Sequence, residues 1–170
     1  EYNIYNNLRL IIYFGRKYIL KYITIISLTL SILINNVFGQ EEDIIKYRKN
    51  IMKAVGNHIS IIAANLKGKV DINSDILPHS NALYLSLAAI DIDKTFPEGT
   101  SNTSGLKTKS LPVIWSDKKA FRESMKVSTE KAKALVIAAE GGNRQDIGKA
   151  LGALGKTCGN CHNKFREKKN

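Results

Sequence analysis

Two cysteines and a histidine close to the C-terminus form the motif that most constrains this chain. They are Cys158, Cys161 and His162, in the order C-x-x-C-H, and the 170 residues contain no other cysteine. On an α-helix, His162 lies about 40° from Cys158 around the axis and Cys161 about 60° to the other side, so all three share one face. Two thiols and an imidazole at this spacing match the two vinyl groups and the iron of a haem. The motif predicts one covalently attached haem c, with thioether bonds at both cysteines and His162 as the proximal iron ligand.

Two other uses of a cysteine pair are weighed beside haem attachment. A redox disulfide of the thioredoxin type needs a βαβ setting, and the residues around Cys158 do not alternate as strands do. Half of a zinc site needs two further ligands, and the remaining histidines, His58 and His79, stand at isolated positions in the sequence. Haem attachment is therefore the favoured interpretation.

The apolar pattern predicts four amphipathic helices. The first runs from Glu41 to Leu66. The second opens at Asn73-Ser74-Asp75 and ends near Phe96, the third follows Ser116 or Asp117 and ends at Gly141-Gly142, and the fourth is capped by Asn143. A long connection rich in Gly, Ser, Thr and Pro, residues 96–112, separates the second helix from the third. The fold class is all-α, an antiparallel four-helix bundle with a haem between facing helices.

Arg48 and Met52 lie on the apolar stripe of the first helix, together with Ile45 and Ile59. A methionine usually fills core space, and an arginine on such a stripe often extends its head group to solvent. The pattern alone leaves open whether these two residues serve the haem.

The first 39 residues have the order of a secretory signal peptide. Basic residues up to Lys21 precede an apolar run from Tyr22 to Ile34, and Val37 and Gly39 suit the positions before a cleavage site. The alternative is an uncleaved membrane anchor, although the apolar run is short for a membrane span. We expect a signal peptide over residues 1–39 and the haem-binding bundle over residues 40–170, in the periplasm and without a membrane after cleavage.

The formal net charge of +11 indicates an acidic partner. Nucleic acid is not the expected partner, because the lysines are spread along all helices and no recognition motif is present. Docking to an acidic redox protein, or simple solubility, explains the charge as well.

The chain resembles the class II cytochromes c, the family of cytochrome c′. The resemblance rests on Tyr47-Arg48 with Met52, on Phe96-Pro97-Glu98-Gly99 and Pro112-Val113-Ile114-Trp115, and on Gly155 to Arg166 around the haem motif. It implies that Arg48 pairs with a haem propionate, that Arg166 flanks the proximal side and that Met52 stands at the distal position.

The distal position separates two functions that the resemblance implies. Our expectation is an electron carrier in which Met52 is the sixth iron ligand; the alternative is a high-spin, five-coordinate cytochrome c′ that binds nitric oxide or carbon monoxide. Enzymatic turnover is not expected, because no second acid–base or nucleophile constellation accompanies the haem. Members of this family form dimers through their first two helices, so the resemblance implies a homodimer. Extra apolar surface on the first helix fits this expectation: Ile51, Ile61 and Ile62.

The leader predicts that the mature protein begins near Gln40. Expression in a bacterial host, followed by N-terminal sequencing of the periplasmic fraction, should give this start. Recovery of the whole chain only in membranes would support the anchor instead.

Overall fold

The computed structural model describes Lys21 and residues 39–168, and this part is helical without a strand. The chain divides into two compact units, Glu1–Glu41 and Glu42–Asn170, and the haem site lies within the second. The signal peptide predicted for residues 1–39 lies outside the described residues, apart from Lys21 and Gly39. Over the described residues, no helix combines the length and the apolar character needed to cross a membrane.

Four long helices and three short ones make up the described chain. In order they are α1 (39–66), a 3₁₀ turn (Asn73–Asp75), α2 (Ile76–Ala88), α3 (Ile92–Thr95), α4 (Val113–Ser116), α5 (Lys118–Glu140) and α6 (Arg144–Phe165). The long helices are α1, α2, α5 and α6, and α5 packs against both α2 and α6. The predicted antiparallel four-helix bundle is confirmed.

The first helix follows the prediction closely. It is helical from residue 39 through residue 66, and its buried stripe includes Ile45, Val55 and Ile62. Gly68 ends it with a φ of 67°, a left-handed conformation that glycine adopts without a Cβ penalty.

The second predicted helix is instead two helices. Asn73-Ser74-Asp75 forms a 3₁₀ turn rather than a side-chain cap, and α2 stops at Ala88. Asp91 is extended, and its carboxylate accepts from the backbone N–H groups of Asp93 and Lys94, which starts α3. The hydrogen bonds to the Asp91 carboxylate start a new helix and so end the previous one. They override the apolar periodicity, which predicted one continuous helix.

Both later helices begin at the predicted caps. Asp117 accepts from the N–H of Ala120, and Asn143 accepts from those of Gln145 and Asp146. Their buried faces complete the core. The core cluster comprises Val55, Ile62, Ile76, Leu83, Leu87, Phe96, Ile114, Phe121, Met125, Ala132, Leu135, Ile147, Leu154 and Phe165.

The long connection is fastened at both of its ends. The indole N–H of Trp115 donates to the carbonyls of Phe96 and Pro97, both at 3.0 Å. Further along, the N–H of Leu111 donates to the Phe165 carbonyl and the N–H of Glu167 donates to the Lys109 carbonyl. The connection therefore lies against the C-terminal end of α6.

The apolar residues offered for dimerisation are mostly used within the chain. Ile62 is 0% exposed and belongs to the core cluster, and Ile51 packs against that cluster. Of the predicted extra apolar surface only the half-buried Ile61 remains. The homodimer stays a prediction, which sedimentation at micromolar concentration tests.

Two leucines on α2 test the packing of the bundle. Leu83 is 0% exposed and Leu85 is 61% exposed. Leu83→Ala should lower the free energy of unfolding by about 2–5 kcal/mol, because it leaves a cavity in the core. Leu85→Ala, the matched control, should change it by less than about 0.5 kcal/mol. Urea denaturation of the haem-loaded protein measures both free energies of unfolding. Equal decreases in the two variants would contradict the assignment of Leu83 to the buried face of α2 and of Leu85 to the exposed face.

Candidate haem site

The three motif residues lie on the last two turns of α6, as predicted. Cys158 and Cys161 are half-buried, unpaired thiols that pack against the core cluster. His162 is exposed next to them, and its ring makes no hydrogen bond within residues 39–168, so both ring nitrogens are available. Cys161 and His162 also line a cavity of about 690 Å³.

The environment of the thiols favours an uncharged sulfur. Burial raises the pKa of Cys158, and it raises that of Cys161 to about 11, with the neighbouring Cys158 adding to the shift. A thiol with a raised pKa is protonated at neutral pH and is a poor thiolate ligand or nucleophile. Thioether bonds, which carry no charge, suit this position better than a zinc site does.

Three phenylalanines from different parts of the chain form one side of the cavity. Phe96 and Phe121 meet edge to face at 4.8 Å between ring centroids, and Phe121 and Phe165 do so at 5.1 Å. All three line the cavity, on the connection, α5 and α6 respectively. Edge-to-face rings fix one another in position. The cavity volume falls in the range of cofactor sites, roughly 300–1,000 Å³.

Arg48 does not extend to solvent but is buried at the cavity. It is 3% exposed, and its guanidinium lies 5.0 Å from the centre of the Phe96 ring. It donates to the hydroxyl and the carbonyl of Thr100 at 2.8 and 2.6 Å, and to the hydroxyl of Thr108 at 2.8 Å. These bonds join α1 to the connection.

The charge of Arg48 is not compensated by any described carboxylate, since no ion pair within residues 39–168 includes it. Burial lowers its pKa to about 10, so the guanidinium remains a cation at neutral pH. Three of its five N–H donors are used by the threonines, which leaves two for a further acceptor. A buried cation of this kind requires an anion. A haem propionate would supply one, and the pairing of Arg48 with it stays a prediction.

Arg166 lies where the chain leaves α6. Its backbone N–H donates to the His162 carbonyl, and its exposed side chain lines the cavity. Partial desolvation lowers the pKa of His162, and the charge of Arg166 lowers it further. A neutral imidazole is the form that binds iron. Arg166 and His162 line the same cavity, and the role of Arg166 on the proximal side of the haem stays a prediction.

Both methionines of the chain line the cavity. Met52 is half-buried on α1, one turn after Arg48, and packs against the core cluster; Met125 is a buried member of that cluster on α5. Neither the contacts nor the packing tests coordination by Met52, so its role as an iron ligand stays a prediction.

The threonine partners of Arg48 and the row of aromatic rings could not be found from periodicity. Thr100 and Thr108 lie in a connection without regular structure, 52 and 60 residues from Arg48.

The histidines that stand at isolated positions in the sequence are in contact in the structure: His58 on α1 lies against His79 on α2. In the described part of the chain, no group of three or more His, Cys, Asp or Glu side chains gathers to hold a metal. The half-zinc-site alternative therefore lacks its further ligands.

Three features together fit a covalently attached haem. They are the thiols and imidazole of the motif, the uncompensated charge of Arg48 and the cavity lined by aromatic rings. Thiols at Cys158 and Cys161 fit the vinyl groups, His162 fits the iron, and Arg48 fits a propionate. Fold and site define a four-helix cytochrome of the c type.

Comparison with known proteins gives the family. The family model described as Cytochrome C′ matches residues 43–166. A cytochrome c′ of Pararhodospirillum photometricum is 37% identical over 126 residues, which are 74% of this chain and 98% of the relative. The crystal structure of cytochrome c′ from Rubrivivax gelatinosus aligns with a TM-score of 0.66 at 26% identity, over 75% of this chain and 97% of that one. A mutant of cytochrome c prime from Alcaligenes xylosoxidans, solved as its nitric oxide complex, aligns with a TM-score of 0.67 at 25% identity, over 76% and 97% of the two chains.

This chain belongs to the cytochrome c′ family. It is a class II c-type cytochrome with one covalently bound haem c, as the motif predicted.

Covalent attachment can be tested residue by residue. Protein from a host that matures c-type cytochromes should keep one haem on denaturation, and mass spectrometry should show it. Cys158→Ala or Cys161→Ala should leave one thioether and weaken retention, and the double variant should lose the haem in acid acetone. Lys156→Ala, an exposed position on α6, is the matched control and should retain the haem fully. Haem extraction from the unmodified protein would contradict the assignment.

Proposed function

We propose that this protein is a high-spin cytochrome c′ in which His162 is the single protein ligand of the iron. The observation that carries the proposal is the match of residues 43–166 to the Cytochrome C′ family model. The similar fold of a cytochrome c prime solved with nitric oxide supports the same function. The haem would supply an iron that can bind a small gas such as nitric oxide or carbon monoxide.

The residues of this chain suit such a site. The side chains of Met52, Phe121 and Met125 give the cavity apolar walls. Apolar walls favour small uncharged ligands over ions, because an ion would lose its hydration there. In this proposal Met52 shields the iron instead of binding it, and its contact with the core cluster helps to hold it in place.

The second candidate is the low-spin electron carrier with Met52 as the sixth ligand. One observation favours it: Met52 lines the same cavity as Arg48 and lies four residues further along α1. If Arg48 binds a haem propionate, Met52 on the next turn of α1 would face the same haem. A thioether is a competent iron ligand in that position.

Substitution of the two methionines separates the candidates. We expect the reduced protein to be high spin and to bind carbon monoxide, and Met52→Leu to preserve the spin state because leucine has a similar volume. Met52→Ala should speed gas binding several-fold by opening the cavity. Met125→Leu is the matched control, the other methionine of the same cavity, and should change neither property.

Optical spectra with and without carbon monoxide measure both effects. A low-spin protein that binds the gas only after Met52 is replaced would establish the electron carrier and overturn the proposal.

We further propose that the protein exchanges single electrons with acidic partners in the periplasm and has no enzymatic turnover. Five exposed cationic side chains surround the cavity, and Glu167 is the one acidic residue among those that line it. The cations are Lys49, Lys53, Lys107, Lys109 and Arg166. These five cations form a basic rim around the cavity. Such a rim steers a negatively charged protein towards the haem edge. We expect neither nucleic acid nor membrane as a partner of the mature chain.

Docking through the basic rim predicts a strong dependence on salt. The bimolecular rate of electron transfer with an acidic redox protein should fall several-fold between about 0.01 and 0.15 M ionic strength, as charges become screened. Lys53→Glu should lower the rate at low salt. Lys131→Glu, an exposed α5 position away from the cavity, carries the same charge change and serves as control. If stopped-flow measurements gave equal decreases in the electron-transfer rate for both variants, the rate would depend only on the net charge of the protein and not on the cations around the cavity.

A further inference from the structure

Two histidines outside the haem cavity are brought together by the packing of α1 and α2. The Nδ1 atoms of His58 and His79 lie 2.9 Å apart, with ring centroids separated by 5.1 Å and the ring planes inclined by 39°. The residues are 21 apart in sequence, so the fold, not local structure, creates the pair. Both side chains are half-buried.

The pair lies apart from the haem site. His58 follows Met52 by six residues, which places it about 9 Å further along α1 and about 120° around its axis. Neither histidine lines the cavity that Met52 and His162 share. The haem function proposed above therefore makes no use of them.

The contact itself shows which atoms converge. A hydrogen bond between two Nδ1 atoms requires a proton on one and a lone pair on the other. If the first ring carries its proton on Nε2 instead, both Nδ1 atoms present lone pairs at a separation of 2.9 Å between α1 and α2. Burial lowers the pKa of His58, and the neighbouring His79 lowers it further, which favours a neutral His58 ring at neutral pH.

We propose that His58 and His79 form a binding site for a divalent transition metal of tetragonal geometry, Cu(II) in the first place. Two nitrogens at about 2.0 Å from a metal are about 2.8 Å apart at a right angle and about 3.3 Å apart in a tetrahedron. The observed 2.9 Å matches two neighbouring ligands of a square plane. Cu(II) prefers that geometry, binds imidazole and ranks highest among the divalent first-row metals.

The protein supplies two of the ligands, and solvent supplies the rest. No third His, Cys, Asp or Glu joins the pair within the described residues, which makes the site open and exchangeable. Because the metal would join α1 to α2, it binds the folded chain in preference to the unfolded one and raises the melting temperature.

Copper titration of the haem-loaded protein tests this site. After treatment with a chelator, the protein should bind one Cu(II) per chain, with a tetragonal electron paramagnetic resonance signal distinct from that of the haem. His58→Ala and His79→Ala should each weaken binding at least tenfold. Asn57→Ala, the exposed neighbour on α1, is the matched control and should leave affinity unchanged.

Two further measurements keep the test decisive if a variant folds poorly. Pulsed resonance on the unmodified protein should detect two coordinated imidazoles, and Zn(II) should bind at least tenfold more weakly than Cu(II). One copper per two chains, a single imidazole, or an affinity equal to that of the protein carrying both His58→Ala and His79→Ala would overturn the site. Equal binding of Zn(II) would contradict the tetragonal geometry.

Discussion

The rigid shape of a haem is the constraint on which this structure depends. Two thioether bonds and one iron ligand must meet a flat ring at once, and only a regular helix holds Cys158, Cys161 and His162 at that spacing. The sequence that precedes them serves the same helix: Asn143 starts α6, and Ile147 and Leu154 fix its buried face. Residues of α1 and α5 supply further walls of the cavity that would hold the ring.

Arg48 is the second point at which the haem and the fold depend on each other. Its hydrogen bonds to Thr100 and Thr108 hold the connection against α1, and the far end of that connection bonds to the end of α6. A buried cation that no carboxylate compensates destabilises the fold unless an anion binds to it. A propionate would satisfy that charge and draw α1, the connection and α6 together around the ring. Haem binding and the ordering of the bundle are thus expected to support each other.

The parts that could be predicted are those with local causes. The haem motif, the caps at Asp117 and Asn143 and the end of α1 before Gly68 depend on neighbours within a few residues. The break after Ala88 was missed because Ile90 and Ile92 continue the apolar pattern while Asp91 caps a new helix. The threonine partners of Arg48 and the meeting of His58 with His79 follow from the packing of distant segments, which periodicity does not specify.

In the proposed function, His162 is the one protein ligand of the haem iron in this bundle. Resonance Raman spectroscopy of the reduced protein tests it most directly, because an iron–histidine stretching band is seen when histidine is the only axial ligand. We expect this band in the unmodified protein and in Met52→Leu. A spectrum without the band, with the markers of a six-coordinate low-spin haem that change only when Met52 is replaced, would contradict it.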